Sequence, residues 1–244
     1  MANLCLYSIP IKRRITMTNK KDLKSNSNYF LKDESMKFVG IGLMILAAVL
    51  FYFGRGWIGY ILMCVSLPAG FLLFLLSTFG RSSESDIDEY IKKATENLEI
   101  NVEEDKNFEK RLSKHLPVET AEGYEYSDGV MLKKAKNGSI RSSVYTKSIL
   151  YPLDTALFIS YRTISLISED KTEEKLEIPY SDINSLRFEE EHKQLKFRKN
   201  LFRTRIDTLV IEYSDNKTLC LPMQSSVQTD TFVERINELI AANK

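Results

Sequence analysis

The stretch Lys193-Gln-Leu-Lys-Phe-Arg-Lys-Asn-Leu-Phe-Arg-Thr-Arg205 gathers the cations Lys193, Lys196, Arg198, Lys199, Arg203 and Arg205, interleaved with Leu195, Phe197, Leu201 and Phe202. Ammonium and guanidinium groups at this density recognise phosphate or carboxylate through charge-assisted hydrogen bonds. Near an anionic membrane each contributes ~1 kcal/mol, and apolar neighbours can enter the headgroup layer. The expected local structure is a strand end followed by a loop. Three roles fit it. It can meet anionic headgroups, with Leu201 and Phe202 dipping in. It can dock on an acidic protein surface, including the chain's own Glu103-Glu104-Asp105 or Glu189–Glu191. Or it is a solvated hairpin whose apolar residues belong to a core.

No other constellation suggests chemistry. The chain has no GxSxG, GxxxxGK[ST], HExxH or DxDxDG motif. His115 and His192 have no ligand pattern around them, and the Glu189–His192 run reads as a solvated strand end rather than a metal site. The expectation is a non-enzymatic protein without cofactor or metal.

The elements around the cationic stretch follow from charge and hydropathy. Lys plus Arg (34) nearly balance Asp plus Glu (33), for a net charge of +1, so no global field attracts nucleic acid. The balance is uneven along the chain: the 43 residues from Phe38 to Gly80 carry one charge, Arg55. As one helix this run would reach ~65 Å at ~1.5 Å per residue, roughly twice a ~30 Å hydrocarbon core. Split at Gly54-Arg55-Gly56 it makes two spans, Phe38–Gly54 and Trp57–Gly80. The glycines permit the reversal, and Tyr52, Trp57 and Tyr60 suit the interface. Residues Gly54, Arg55, Gly56 and Trp57 are thus expected to form the turn of a transmembrane hairpin. Lys12, Arg13, Arg14, Lys20, Lys21, Lys24, Lys32 and Lys37 precede it and Arg81 follows, so the positive-inside rule puts both termini in the cytoplasm, with the protein in the cell (inner) membrane. Gly40, Gly42, Ala47, Ala48, Ala69 and Gly70 offer small surfaces through which hairpins can associate. Cys64 and Cys220 are expected as buried thiols in a reducing compartment.

Beyond the hairpin, Ile87, Tyr90, Ile91, Ala94 and Leu98 recur at helical spacing behind a cap at Ser85, and Phe108, Leu112 and Leu116 make a second short pattern. Packing of this connector on the following domain is expected. From Gly123 the pattern is β. Asn137-Gly138 marks a hairpin, two apolar stretches flank Ser160-Tyr161-Arg162, and a further hairpin turns at Ser214-Asp215-Asn216-Lys217. A terminal helix capped by Thr229 or Asp230 carries the stripe Phe232, Val233, Ile236, Leu239 and Ile240.

The succession ALFISYRTISLIS, LEIPYSDINSL, LVIEY and TLCLP before a last helix resembles GRAM and bacterial pleckstrin-homology-like (PH-like) domains, with Arg162 and Ile178-Pro179-Tyr180-Ser181-Asp182-Ile183 at the matching positions. With the hairpin ahead of it, the chain is similar to YcxB-like membrane proteins. The expected chain is α+β in four parts: a basic N-terminal segment (1–37) expected to be disordered, a transmembrane hairpin (38–80), a helical connector (81–121), and, as the resemblance implies, a PH-like antiparallel barrel or sheet capped by a C-terminal helix (122–244). Such a chain is expected to scaffold or sense at the cytoplasmic membrane face. Its expected partners are membrane lipids, and a protein or a second copy of itself. The alternative is a subunit of an oligomeric membrane complex or pore built through the hairpin.

Overall fold

The computed structural model describes residues 20–32, 35–53, 56–98, 108–114, 116–214, 217–223 and 226–243. The chain divides into two compact units at Asp86/Ile87.

The first unit holds three helices, α1 (Lys20–Leu31), α2 (Ser35–Phe53) and α3 (Trp57–Thr78). Both α2 and α3 are long and apolar enough to cross a membrane, and their bounds agree with the split expected at the glycine pair. Gly54 and Arg55 lie outside the described residues. Gly56 sits at φ 129°, and Trp57, which opens α3, is 82% exposed. The helices meet backbone to backbone. A Cβ on Gly40 would stand 2.8 Å from the Gly70 carbonyl oxygen, and one on Gly70 would stand 2.7 Å from the Gly40 oxygen. Gly40, Ala47 and Gly70 are therefore taken up by the hairpin's own packing, whereas Gly42 and Ala48 are exposed.

Helix α1 occupies a segment expected to be disordered. Its Leu23, Tyr29 and Phe30 are buried, and its polar side chains engage the carbonyls at the end of α3. Lys32 Nζ donates to Leu76 O (2.8 Å) and Phe79 O (2.9 Å), and Asn28 Nδ2 donates to Gly80 O (2.7 Å). The last carbonyls of a helix have no partner within it. A lysine there supplies both donors and a charge that suits the negative end of the helix dipole. Composition alone does not reveal this helix, because the partners are over forty residues away in sequence.

Helix α4 (Glu84–Thr95) is capped by Ser83 rather than Ser85. Ser83 Oγ accepts from the Asp86 amide (3.2 Å), and Asp86 Oδ2 accepts from the Ser83 amide (2.7 Å). Those bonds hold the Asp86 carboxyl below its usual range.

In the second unit, β1 (Glu119–Tyr124), β4 (Val144–Pro152), β5 (Ala156–Ser165) and β6 (Lys171–Pro179) form an antiparallel sheet in the order β1-β4-β5-β6. Strands β2 (Leu132–Lys134) and β3 (Ile140–Ser142) make the short hairpin expected at Asn137-Gly138, with Gly138 at φ 89°. Strands β7 (Ile183–Phe197), β8 (Asn200–Tyr213) and β9 (Lys217–Pro222) form a second antiparallel sheet. No pairing among the described strands joins the two sheets into a closed barrel. The break expected near Ser160-Tyr161-Arg162 is absent, since β5 runs through it and pairs along its length with β4 and β6.

The inner faces of both sheets and helix α5 (Val227–Ala242) share one core. Leu150, Leu157 and Ile159 meet Ile183, Leu186, Leu209 and Ile211, and Phe232, Val233, Ile236 and Ile240 close it from α5. Ser226, not Thr229 or Asp230, caps α5: its hydroxyl accepts from the Thr229 amide (3.2 Å), while Thr229 Oγ1 accepts from the Ser226 amide (2.8 Å). Asn237 Nδ2 donates to Leu186 O (2.9 Å), fixing α5 on β7. The connector packs on the outer face of the first sheet, where Leu98 and Phe108 join Ile149, Tyr151, Leu153 and Ala156.

Candidate functional site: a basic hairpin arm

The cationic stretch takes in the end of β7, as expected, but a two-residue turn and the start of β8 stand where a loop was expected. Strands β7 and β8 stay paired from Ile183/Tyr213 to Phe197/Asn200, and β9 accompanies β8 only from Tyr213 to Thr208. Past the Met223 amide, which donates to Asp207 O at 3.1 Å, Glu191–Phe197 and Asn200–Ile206 continue as a two-stranded arm. Its seven residues a side reach about 23 Å at ~3.3 Å per residue.

Alternation sorts the side chains onto two faces. Glu191/Ile206, Lys193/Thr204, Leu195/Phe202 and Phe197/Asn200 pair on one face, and its apolar members are half-buried. His192/Arg205, Gln194/Arg203 and Lys196/Leu201 pair on the other, and all six are exposed. Leu201 and Phe202, expected to act together, therefore point to opposite sides. Leu201 is 59% exposed.

Ion pairs divide the cations by height. Near the root, Lys193 Nζ meets Glu191 at 2.9 Å, and Arg205 meets Asp207 at 2.6 Å and Glu190 at 3.3 Å. Towards the tip, the side chains of Lys196, Lys199 and Arg203 have no ion pair among the described residues. Arg198 and Lys199 form the two-residue turn, with the Arg198 guanidinium 5.5 Å from the centre of the Phe197 ring. Arg198 has φ 57°, a left-handed conformation that disfavours any residue with a Cβ. Hairpin turns place glycine, asparagine or aspartate there. An arginine at that position keeps a charge at the tip at a conformational cost.

Comparison with protein-family models, curated proteins and solved structures finds no match. The likeness to GRAM and PH-like domains therefore rests on the residues themselves. At those positions the structure shows framework. Ile178, Tyr180 and Ile183 are buried, and the Tyr180 hydroxyl donates to Leu153 O (3.1 Å) while burial pushes its pKa up to about 12. Arg162 is 2% exposed and donates to Glu173 Oε2 (2.7 Å) and Ala94 O (2.9 Å).

The sequence reading missed two polar clusters. A cleft of about 550 Å³ runs between α4 and β1, β3 and β4. In it Arg141 forms a fork with Asp88 (2.7 and 3.2 Å) beside the edge-to-face pair Tyr124 and Tyr145. Burial, then the Glu122 carboxylate, pushes the Tyr145 phenol up, so it stays protonated and is no general base. The second cluster is Glu125 with Thr146 and Thr163. Thr146 Oγ1 donates to Glu125 Oε1, and the two threonine hydroxyls lie 2.7 Å apart. No short motif announces either cluster, because each is assembled from separate strands. Among the described residues no group of three His, Cys, Asp or Glu stands close enough to hold a metal ion. Cys64, expected as a buried thiol, is an exposed free thiol on α3, and Cys220 is half-buried on β9.

Glu125 predicts a pH dependence. Burial raises its carboxyl above the ordinary value, against the two threonine bonds that lower it. The folded chain therefore keeps that proton to higher pH than the unfolded chain. Stability from this group is present at acid pH and is lost as pH rises through the raised value. Glu125→Gln keeps an acceptor for Thr146 without the charge. Its melting temperature is expected to exceed the parent's at about pH 8 and to match it at about pH 4, near the ordinary carboxylate pKa. Parallel curves would refute the assignment.

Proposed function

We propose that this chain is a membrane-anchored, non-enzymatic interaction module: a helical hairpin in the bilayer and a PH-like domain at the cytoplasmic face that scaffolds or senses through its basic arm. The observation that carries the reading is the apolar surface of the hairpin. Phe38 is 69% exposed, Tyr52 82%, Val65 63% and Phe79 70%, although the β unit gathers most of its apolar side chains into two buried clusters. An apolar surface of this extent needs a nonpolar solvent or a partner. The absence of Asp, Glu, Lys and His from α3, and of all but Lys37 from α2, suits an anchor better than an ion or proton pathway.

The PH-like part of the proposal is supported by topology. A four-stranded antiparallel sheet interrupted by the β2–β3 hairpin, a three-stranded meander and a C-terminal helix over their shared core follow one another in that order. The excess of basic residues before α2 supports the cytoplasmic placement. A reporter fused after Lys244 tests that placement. The expected result is a chain that resists carbonate extraction, with the reporter on the cytoplasmic side. Release by carbonate would remove the anchor, and an external reporter would reverse the topology.

A further inference from the structure

Resting on that reading, we infer that the outer half of the β7–β8 arm is a headgroup-reading tip: Lys196, Arg198, Lys199 and Arg203, with Leu201 between them, engage the anionic phospholipid surface of a bilayer. Residues 194–204 contain four cations and no acid. The acids of the arm lie at its root, where they neutralise Lys193 and Arg205. Charge is therefore concentrated at the far end, about 23 Å beyond the body of the second sheet at ~3.3 Å per residue.

The kind of partner follows from the shape. Lys196 and Arg203 lie on an exposed strand face, and Lys199 lies at the turn. Arg203 borders a shallow open pocket with Lys193 and Arg205, nearer the root, and Lys196 and Lys199 stand outside it. Lys196, Lys199 and Arg203, without an ion pair among the described residues, are spread along the end of a narrow two-stranded arm, which suits a plane carrying many phosphates. Leu201, paired across the ladder with Lys196, places an exposed apolar side chain among the charges, where headgroups give way to acyl chains. The left-handed Arg198 is an independent sign, since backbone strain gathers at functional positions. Each cation near an anionic surface favours the bound state by about fivefold, so removing three weakens it by about a hundredfold.

The test uses the full chain in vesicles. Trp57→Phe removes the one native tryptophan, and Leu201→Trp, at an exposed position, reports on the tip. In vesicles with about one-third phosphatidylglycerol, bromine-labelled acyl chains are expected to quench this tryptophan at low salt. Quenching should fall to the neutral phosphatidylcholine level in high salt, where the Debye length is about 3 Å. It should fall likewise in the triple variant Lys196→Gln, Lys199→Gln, Arg203→Gln. Equal quenching in anionic and neutral vesicles, or quenching indifferent to salt, overturns the inference; the salt series needs no substitution at the cations, so misfolding of the triple variant cannot rescue it. Flotation of the same samples separates the two readings. A chain that floats while its tip stays in water overturns this inference alone and leaves an acidic protein as the arm's partner. A chain that fails to float with either lipid overturns the anchor as well.

Discussion

Truncating Glu173 to alanine is expected to destabilise the second unit by about 3–5 kcal/mol, and more than truncating Arg162, its partner. The Arg162 side chain is 3% exposed and that of Glu173 is 24% exposed. Without Glu173 the guanidinium stays buried with only the Ala94 carbonyl, and an arginine cannot shed its proton. Lys171 adds to the cost, since its charge already opposes Arg162, and burial and that cation together lower its pKa. Without Arg162, by contrast, the glutamate, already 24% exposed, can turn towards water. Denaturant unfolding of the full chain in detergent, followed by near-ultraviolet circular dichroism, measures both. The paired replacement Arg162→Met with Glu173→Leu is expected to recover most of the loss, because both charges then leave together. An Arg162→Ala variant less stable than Glu173→Ala would refute this account.

Gly40→Ala and Gly70→Ala are each expected to cost about 1–3 kcal/mol of hairpin stability, the range for overpacking a fitted contact. The new methyl at position 40 would meet backbone, the Gly70 oxygen and the Phe74 nitrogen, both at 2.8 Å. Backbone cannot swing aside as a side chain does, so the helices must separate along their crossing. Between apolar helices in lipid that close approach is the main source of cohesion. Gly42→Ala is the control, with nothing within 4 Å of its added Cβ. It is expected to be neutral or slightly stabilising, as alanine is the better helix former. Unfolding in mixed micelles of rising sodium dodecyl sulfate fraction reads all three. If Gly40→Ala proves as stable as Gly42→Ala, the glycine crossing is wrong.

These cases mark how far the residues alone could be read. The run from Phe38 to Gly80 announced two helices because its length exceeds one bilayer crossing. The stripe Phe232, Val233, Ile236, Leu239 and Ile240 announced α5, and Asn137-Gly138 announced a hairpin, because each is a short-range pattern. By residue type the chain divides at Ser160-Tyr161-Arg162, yet one strand crosses that point, because β4 and β6 pair with it on both sides. The caps moved to Ser83 and Ser226, which adjacent serines and threonines left undecided.

The arm shows the same division. Its cations, its interleaved apolar residues and its tendency to form strands were all determined by residue type. Only pairing register decided that Leu201 joins Lys196 while Phe202 joins Leu195 on the opposite side. Only pairing of the strands brought Glu190 to Arg205, whereas Asp207 lies two residues along the same strand. Amino-acid identity determines period, length and charge, which act over a few residues. The partners of Arg162, Lys32 and Gly40 come from segments 11 to 68 residues away, and no local rule specifies which distant group meets which. The tertiary fold decides that, because burial makes each of those meetings either satisfied or costly.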